Sequence, residues 1–269
     1  RIKKNLYTKN SSGNPVIARR CPSVSSEANY VAKEIRRLKE VEHYSYNDIV
    51  ILYRSSYVTI DFETALTAHQ IPYKVYGGLK FWARREIKDV LAYFHLLVNE
   101  NDDVSFERIM NVPRRGIGEQ SFNILKEEKN SKNLSYIEYV RSVNDEETDV
   151  SKKIITSLKT MVFNIDQARI EIEKNEETFS KILEDLITTL GYYDYLLTED
   201  DSDERIEHVR ALFEDLRHYL KNNPESTFDE YLQNIALLSA QDDLIDGDYV
   251  SLMTVHTAKG LEFPIVFVI

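Results

Sequence analysis

Two short apolar runs near the end of the chain, Tyr249-Val250-Ser251-Leu252-Met253-Thr254-Val255 and Ile265-Val266-Phe267-Val268-Ile269, have strand character but no sheet of their own nearby in sequence. Strands without enough partners leave backbone N–H and C=O groups unpaired, which is costly, so these runs need partners from elsewhere in the chain. Matching material lies far upstream. Asp48-Ile49-Val50-Ile51-Leu52-Tyr53 is a continuous apolar run of the kind buried on both faces of a parallel sheet, and Pro72-Tyr73-Lys74-Val75-Tyr76 reads as another strand closed by Gly77-Gly78. Pro15-Val16-Ile17-Ala18 also reads as extended. Between these, Ser25-Ser26 can cap a helix carrying Val31, Ile35 and Leu38 on one face, and a further helix fits residues 61–70.

From Arg85 onward the pattern changes. Ile87, Val90, Leu91, Phe94, Leu97 and Val98 mark one face of an amphipathic helix ending near Asn99. Beyond Asp102-Asp103 helical periodicity continues almost to Asp246, in roughly seven to nine segments, with helices expected over 119–129, 151–173, 178–189, 204–221 and 227–238. The order α/β, helical, α/β predicts an α/β fold: a parallel-sheet domain over residues 1–102 and 247–269, interrupted by a mostly α-helical insertion over 103–246. The chain starts without methionine and stops inside an apolar strand, so it reads as part of a longer protein.

No apolar run approaches the roughly 18 residues a membrane span needs, and the single cysteine, Cys21, excludes an internal disulfide framework. The expectation is a soluble, cytoplasmic chain without a structural zinc site, since its histidines are scattered. Charge sets a further condition. Lys+Arg 34 against Asp+Glu 45 gives −11, the wrong sign for holding nucleic acid by bulk attraction. Any such contact must use local basic patches: Arg1, Lys3, Lys4, Lys9, Arg19 and Arg20; Lys80, Arg84, Arg85 and Lys88; Arg114-Arg115. Acid is concentrated in Glu199-Asp200-Asp201-Ser202-Asp203-Glu204 and from Asp242 to Asp248.

Three segments carry chemistry. The first strand delivers Tyr53-Arg54-Ser55 at its C-terminal end, where ligands bind in open α/β sheets; taken alone, such a pair more often makes a surface ion pair. Met253-Thr254-Val255-His256-Thr257-Ala258-Lys259-Gly260-Leu261-Glu262-Phe263-Pro264 groups His, Lys and Glu in a way a simple strand-to-helix turn does not explain. In Asn111-Val112-Pro113-Arg114-Arg115-Gly116-Ile117-Gly118-Glu119-Gln120-Ser121, glycines opening a helix let backbone N–H groups approach a phosphate; a tight interhelical turn is the commoner cause of such a pattern taken alone.

In order and spacing these segments resemble superfamily 1 DNA helicases of the UvrD/PcrA type. The first is similar to motif IV of that family, the second to motif V (T-h-H-x-A-K-G-L-E-F), and Gly77-Gly78-Leu79-Lys80-Phe81 with Arg85-Glu86-Ile87-Lys88-Asp89 to the G-G-x-x-F…E-I-K-D segment between motif IV and the insertion. The resemblance implies a second RecA-like motor domain with a helical inserted subdomain, part of an ATP-driven 3′-to-5′ DNA translocase. It implies that Arg54 is an arginine finger at the γ-phosphate and that Tyr53 stacks on adenine. It further implies that Lys259 and Gly260 shape the turn near the phosphates and that Glu262 bonds the ribose. Thr254 and His256 would face single-stranded DNA; Arg114, Arg115, Gly116, Ile117 and Gly118 would lie against duplex DNA; Lys80 and Arg84 are candidate DNA-backbone contacts. ATP and Mg²⁺ are the implied cofactors, and single-stranded DNA, the duplex junction and a first RecA-like domain the implied partners. No G-x-x-x-x-G-K-[ST] loop, metal-binding D-E-x-x strand or arginine-bearing motif VI occurs in the sequence, so phosphoryl transfer has no platform within it. A RecB- or AddA-like recombination nuclease shares motifs IV and V, and a non-catalytic DNA-binding or regulatory module is the other alternative.

Overall fold

The computed structural model of the protein describes residues 13–76, 80–144, 146–174, 179–240 and 247–269. The basic residues Arg1, Lys3, Lys4 and Lys9, the Gly77-Gly78-Leu79 turn and the acids from Asp242 to Asp246 lie outside the described residues.

Four strands form one parallel sheet: β1 (Ile49–Tyr53), β2 (Tyr73–Tyr76), β3 (Val250–Thr254) and β4 (Ile265–Val268), in the order β2-β3-β1-β4. The late strands therefore complete the early ones, and β3 enters between β1 and β2. Val50 pairs with Ser251 and Tyr53 with Thr254 on one side of β3; Tyr73 pairs with Val250 on the other. β4 closes the opposite edge through Ile49↔Ile265 and Leu52↔Val268.

Two helices cover one face of this sheet. α1 (Val24–Val41) buries Ala28, Val31, Ala32, Ile35 and Leu38 at helical spacing, and α2 (Thr59–Ala68) contributes Phe62, Ala65 and Leu66; both pack against Ile49, Ile51, Tyr53, Val250 and Leu252. Strand residues alternate faces, so Val266 and Val268 of the edge strand point the other way and stand open. The cap of α1 differs from expectation. Ser23, not Ser25, is the N-cap, and Ser26 is its reciprocal partner in a capping box that satisfies two orphan backbone donors. The expected strand at Pro15-Val16-Ile17-Ala18 does not form: residues 13–20 pair with nothing in the sheet, and Val16 and Ile17 are exposed at 98% and 85%. Two β-branched residues beside a proline suit an extended chain, but a strand needs a partner edge as well.

Between β2 and β3 the described residues form helices: α3 (Arg85–Val98), α4 (Asp103–Ile109), α5 (Glu119–Ser131), α6 (Tyr136–Ser142), α7 (Lys152–Lys174), α8 (Phe179–Thr189), α9 (Tyr192–Leu196), α10 (Ser202–Asn222) and α11 (Phe228–Ala240). These helices share a second, larger core. α3, placed with the sheet in the division drawn from sequence, buries Ile87, Val90, Leu91, Phe94 and Leu97 in that helical core. At about 1.5–3 kcal/mol for each fully buried large apolar side chain, this stripe fixes α3 to the helical layer. Ile60 of α2 and Phe81-Trp82, just before α3, belong to the same core, so the two layers meet at α2 and at the approach to α3. Glu63, 1% exposed on α2, accepts hydrogen bonds there from the Phe81 backbone N–H and the Tyr73 hydroxyl.

Candidate functional site

The register Tyr53↔Thr254 sets the site. Two segments remote in sequence leave adjacent parallel strands at the same, C-terminal edge of the sheet, and the Val255 N–H donates to the Tyr53 carbonyl at 3.2 Å. Arg54 is the first residue past β1. It is exposed and has no hydrogen bond or ion pair with any described residue.

The facing turn, residues 255–260, is built from its own groups. The Thr254 hydroxyl accepts the Thr257 N–H at 3.1 Å and meets the Thr257 hydroxyl at 2.9 Å, while the Thr254 carbonyl accepts from the Ala258 N–H at 3.0 Å. This is a cap-like arrangement: a short hydroxyl side chain satisfies backbone donors that no strand partner reaches. Gly260 closes the turn at φ +87, a conformation in which side chains are rarely found. His256, Lys259 and Glu262 are all exposed around it. The structure thus brings Arg54, Thr254, His256, Lys259 and Gly260 to one edge of the sheet, while Glu262 lies on the return toward β4, whose Ile265 pairs with Ile49 at the other edge.

Tyr53 does not join them as an open platform. Its ring is 2% exposed and packs in the sheet core, and burial pushes its hydroxyl above the ordinary tyrosine range, with the charges of Arg84, Glu63 and Glu204 nearby. Stacking on adenine needs a free ring face, and this conformation offers none. Strand alternation is the reason: Tyr53 follows Ile49 and Ile51 onto the face that α1 and α2 cover.

The Gly-Ile-Gly segment lies apart from this edge, between α4 and α5. Asn111 organises it: its side-chain oxygen accepts from the Arg115 and Ile117 N–H groups at 2.8 and 3.2 Å, and its amide donates to the Ile117 carbonyl at 2.9 Å. The five residues assigned to duplex contact divide accordingly. Arg114, Gly116 and Gly118 are exposed. Ile117 is buried in the helical core, and the Arg115 guanidinium donates to the carbonyls of Ile109, Met110 and Pro113, so both act inward in this conformation. Gly116 has φ +77, whereas Gly118 is an extended N-cap of α5.

Lys80 and Arg84 are half-buried. The Lys80 ammonium lies 4.8 Å from the Tyr73 ring centre, and the Arg84 Nε is buried with no partner among the described residues. The acids of the neighbouring E-I-K-D segment are the larger surprise. Glu86 accepts from Arg205 at 2.9 Å and lies 2.6 Å from Nδ1 of the buried His208; Asp89 accepts from Arg108 at 2.8 Å and from the Tyr192 hydroxyl at 3.1 Å. Burial pushes the Glu86 carboxyl up, but the His208 hydrogen bond and the His208 and Arg205 charges outweigh it, holding the group below its usual range. Burial dominates at Asp89 and raises it. These groups join α3 to α4, α9 and α10. The sequence carried one signal of this inward role: Glu86 and Asp89 each stand four residues before a buried residue of α3, Val90 and Tyr93 respectively.

A cavity of about 600 Å³ opens between α2 and α10, lined in part by Tyr57, Asp61, Thr64, Ala211, Asp215 and His218. Among the described residues, no three His, Cys, Asp or Glu side chains are grouped as a metal site, and no helix is long and apolar enough to cross a membrane.

The UvrD-like helicase C-terminal domain family matches residues 1–269. An ATP-dependent DNA helicase PcrA of Leuconostoc citreum is 34% identical over 280 aligned residues, covering 100% of this chain and 37% of the relative. A probable DNA helicase II homolog of Rickettsia felis is 34% identical across 98% of the chain and 40% of its own length. A PcrA of Staphylococcus aureus is 30% identical across 98% of the chain and 36% of its own length. The chain thus spans well under half the length of these curated relatives. With the motifs, the parallel sheet and a family match along its full length, the chain belongs to the UvrD-like helicase C-terminal domain family.

Proposed function

We propose that the chain is the second motor half of an ATP-driven 3′-to-5′ DNA helicase, working in the cytoplasm. The observation that carries this reading is the exposed Arg54, without a partner among the described residues, beside the Thr254-to-Gly260 turn at the C-terminal sheet edge. A guanidinium held on a rigid strand end, with no acid among the described residues to neutralise it, suits a phosphate supplied from outside, because it is permanently charged and pairs phosphate oxygens through a planar fork. In this reading Arg54 reaches the γ-phosphate of ATP, Lys259-Gly260 shape the turn near the phosphates, and Glu262 bonds the ribose. Thr254 and His256 contact single-stranded DNA from the same turn. One turn meeting both ligands is what a motor requires, since nucleotide state must bias the grip on DNA. Tyr53 supports the floor of the site through packing instead of stacking on the base.

Residues 1–102 with 247–269 form the motor domain and 103–246 the inserted subdomain, with α2, whose Ile60 and Phe62 fall in different cores, as the element where the cores join. Arg114, Gly116 and Gly118 present the duplex-facing surface; Lys80 and Arg84 contribute to the DNA-backbone path. The phosphate loop and the Mg²⁺ carboxylate come from a first RecA-like domain outside this sequence. Without them the isolated chain hydrolyses no ATP.

The test is unwinding by the full-length protein with Mg²⁺-ATP on duplexes bearing a 3′ or a 5′ single-stranded tail. Unwinding of the 3′-tailed substrate alone is expected. ATP-independent binding without unwinding of either substrate would contradict the motor reading.

A further inference from the structure

The segment that carries Arg54 is tied to the helical insertion by one row of polar groups centred on the buried His208. After Arg54-Ser55 the chain makes a single 3₁₀ turn, Ser56–Val58, before α2. The Ser56 hydroxyl lies 2.9 Å from Nε2 of His208 on α10 and is hydrogen-bonded to the Glu204 carboxylate, one helical turn earlier. His208 is 2% exposed, and its other ring nitrogen, Nδ1, meets Glu86 of α3, which Arg205 holds from a second side. Phe81 stands edge-on to the His208 ring, with centroids 6.2 Å apart. The imidazole is thus fixed at both nitrogens and across its plane.

A carboxylate, an imidazole and a hydroxyl in a row also describe a nucleophilic triad. Here the hydroxyl is committed to a second carboxylate, Glu204, so it is a tether and not an attacking group. The tether is well placed to matter. Ser56 is two residues beyond Arg54, and the intervening backbone has no strand partner to hold it. Small displacements of a phosphate-directed group are expensive: about 1 Å can cost about 100-fold in rate. A buried imidazole whose two nitrogens are both bonded resists such displacement, because moving it would leave buried polar groups unsatisfied.

We propose that His208, acting through Ser56, is a positioning residue for Arg54, so that the helical insertion sets the direction in which the arginine leaves β1. This rests on the reading of Arg54 as a phosphate-directed group. Glu86 and Arg205 orient the imidazole; Glu204 holds the hydroxyl from the other side. An insertion that shifted relative to the sheet would release Ser56 and misdirect Arg54 without touching either ligand.

The experiment is a double-mutant cycle in the full-length protein, with ATPase measured at saturating single-stranded DNA. Ser56→Ala removes the tether at a half-buried site, and melting curves check its fold. Its kcat is expected to fall by about 10- to 100-fold, with KM for ATP and affinity for single-stranded DNA within about twofold of wild type. Ser56→Thr, which keeps the hydroxyl, should recover most of that loss. The double variant Ser56→Ala with Arg54→Ala should be no slower than Arg54→Ala alone, since a tether has nothing left to aim. Should Ser56→Ala fail to fold, His208→Gln, which offers an amide toward Ser56, takes its place in the cycle with the same expectation of non-additivity.

A folded Ser56→Ala or His208→Gln protein with wild-type kcat would overturn the proposal, as would a loss confined to KM or a loss that multiplies with that of Arg54→Ala. If Arg54→Ala itself retains wild-type kcat, it is the functional reading that fails, and the two failures are thereby distinguished.

Discussion

Tyr53 and Thr254 face each other in register on neighbouring parallel strands, and each ends its strand there. From that pairing it follows that Arg54 and the turn after Thr254 emerge together, while Tyr53 itself stays in the core. The two halves of the site therefore have different sensitivities. One residue can be lost with little effect on folding; the other cannot.

Tyr53→Ala should act on stability. Truncating a fully buried aromatic costs about 3–5 kcal/mol, which at ~2–4 °C per kcal/mol for a chain of this size is a large fall in melting temperature. Tyr53→Phe keeps the volume and should leave both melting and KM for ATP close to wild type. A normally melting Tyr53→Ala protein with a raised KM would restore the ring as a base platform.

The Thr254 hydroxyl is a cap before it is a ligand contact. Thr254→Val should remove the bond to the Thr257 N–H and cost about 1 kcal/mol, while Thr254→Ser should retain it. Denaturant midpoints of the three proteins check this. Equal midpoints would mean that the turn closes without its cap.

The glycines of the Gly-Ile-Gly segment separate structure from binding. Gly116 has φ +77 in open space, so Gly116→Ala should strain the backbone by about 1–2 kcal/mol. Gly118 has an ordinary φ and no atom near a built Cβ, so Gly118→Ala should fold normally. If this surface meets duplex DNA, Gly118→Ala should still weaken binding to a duplex–single-strand junction. Unchanged junction binding by the folded Gly118→Ala protein would leave the segment as an interhelical turn only.

Asp215 gives the fold a pH dependence. Burial pushes its carboxyl up to about 7 against an ordinary value of 3.8, with the Tyr231 hydrogen bond opposing the rise and Asp61 adding to it. Between these values the folded chain holds a proton that the unfolded chain has released. Stability from this group is therefore full below the unfolded value and falls as pH rises through the folded one, by at most about 1.4 kcal/mol per pH unit. Melting of wild type should drop more between about pH 5 and pH 8 than melting of Asp215→Asn. Parallel pH profiles for the two proteins would contradict the assignment.

Much of the sheet was legible because β1 and β4 are apolar runs rich in β-branched residues, and because two late runs without a local partner require an early one. Most helices between 103 and 240 followed from periodicity, and their observed limits lie close to those expected. Pro15–Ala18 misled because local composition favours extension whether or not a partner edge exists. The side of the sheet on which Tyr53 points could be inferred from alternation with Ile49 and Ile51, but which face the helices cover is a tertiary fact. Arg115 and Ile117 were similarly opaque: a basic residue beside glycines looks like a phosphate contact until the carbonyls at the end of α4 are seen to occupy it. His208 had no local signal, since its partners Ser56 and Glu86 come from remote segments.

The central claim is that Arg54 acts at the transferred phosphate, and steady-state ATPase of full-length Arg54→Ala with saturating single-stranded DNA tests it most directly. Arg54 is exposed and has no partner among the described residues, so the variant should melt like wild type and open no core cavity. Loss of an arginine finger removes stabilisation of transition-state charge and typically lowers kcat by about 10³–10⁵-fold. Nucleotide binding should be largely retained, and Arg54→Lys should recover little, because an ammonium cannot copy the planar fork. A well-folded Arg54→Ala protein with near-wild-type kcat would remove Arg54 from the site and contradict the account.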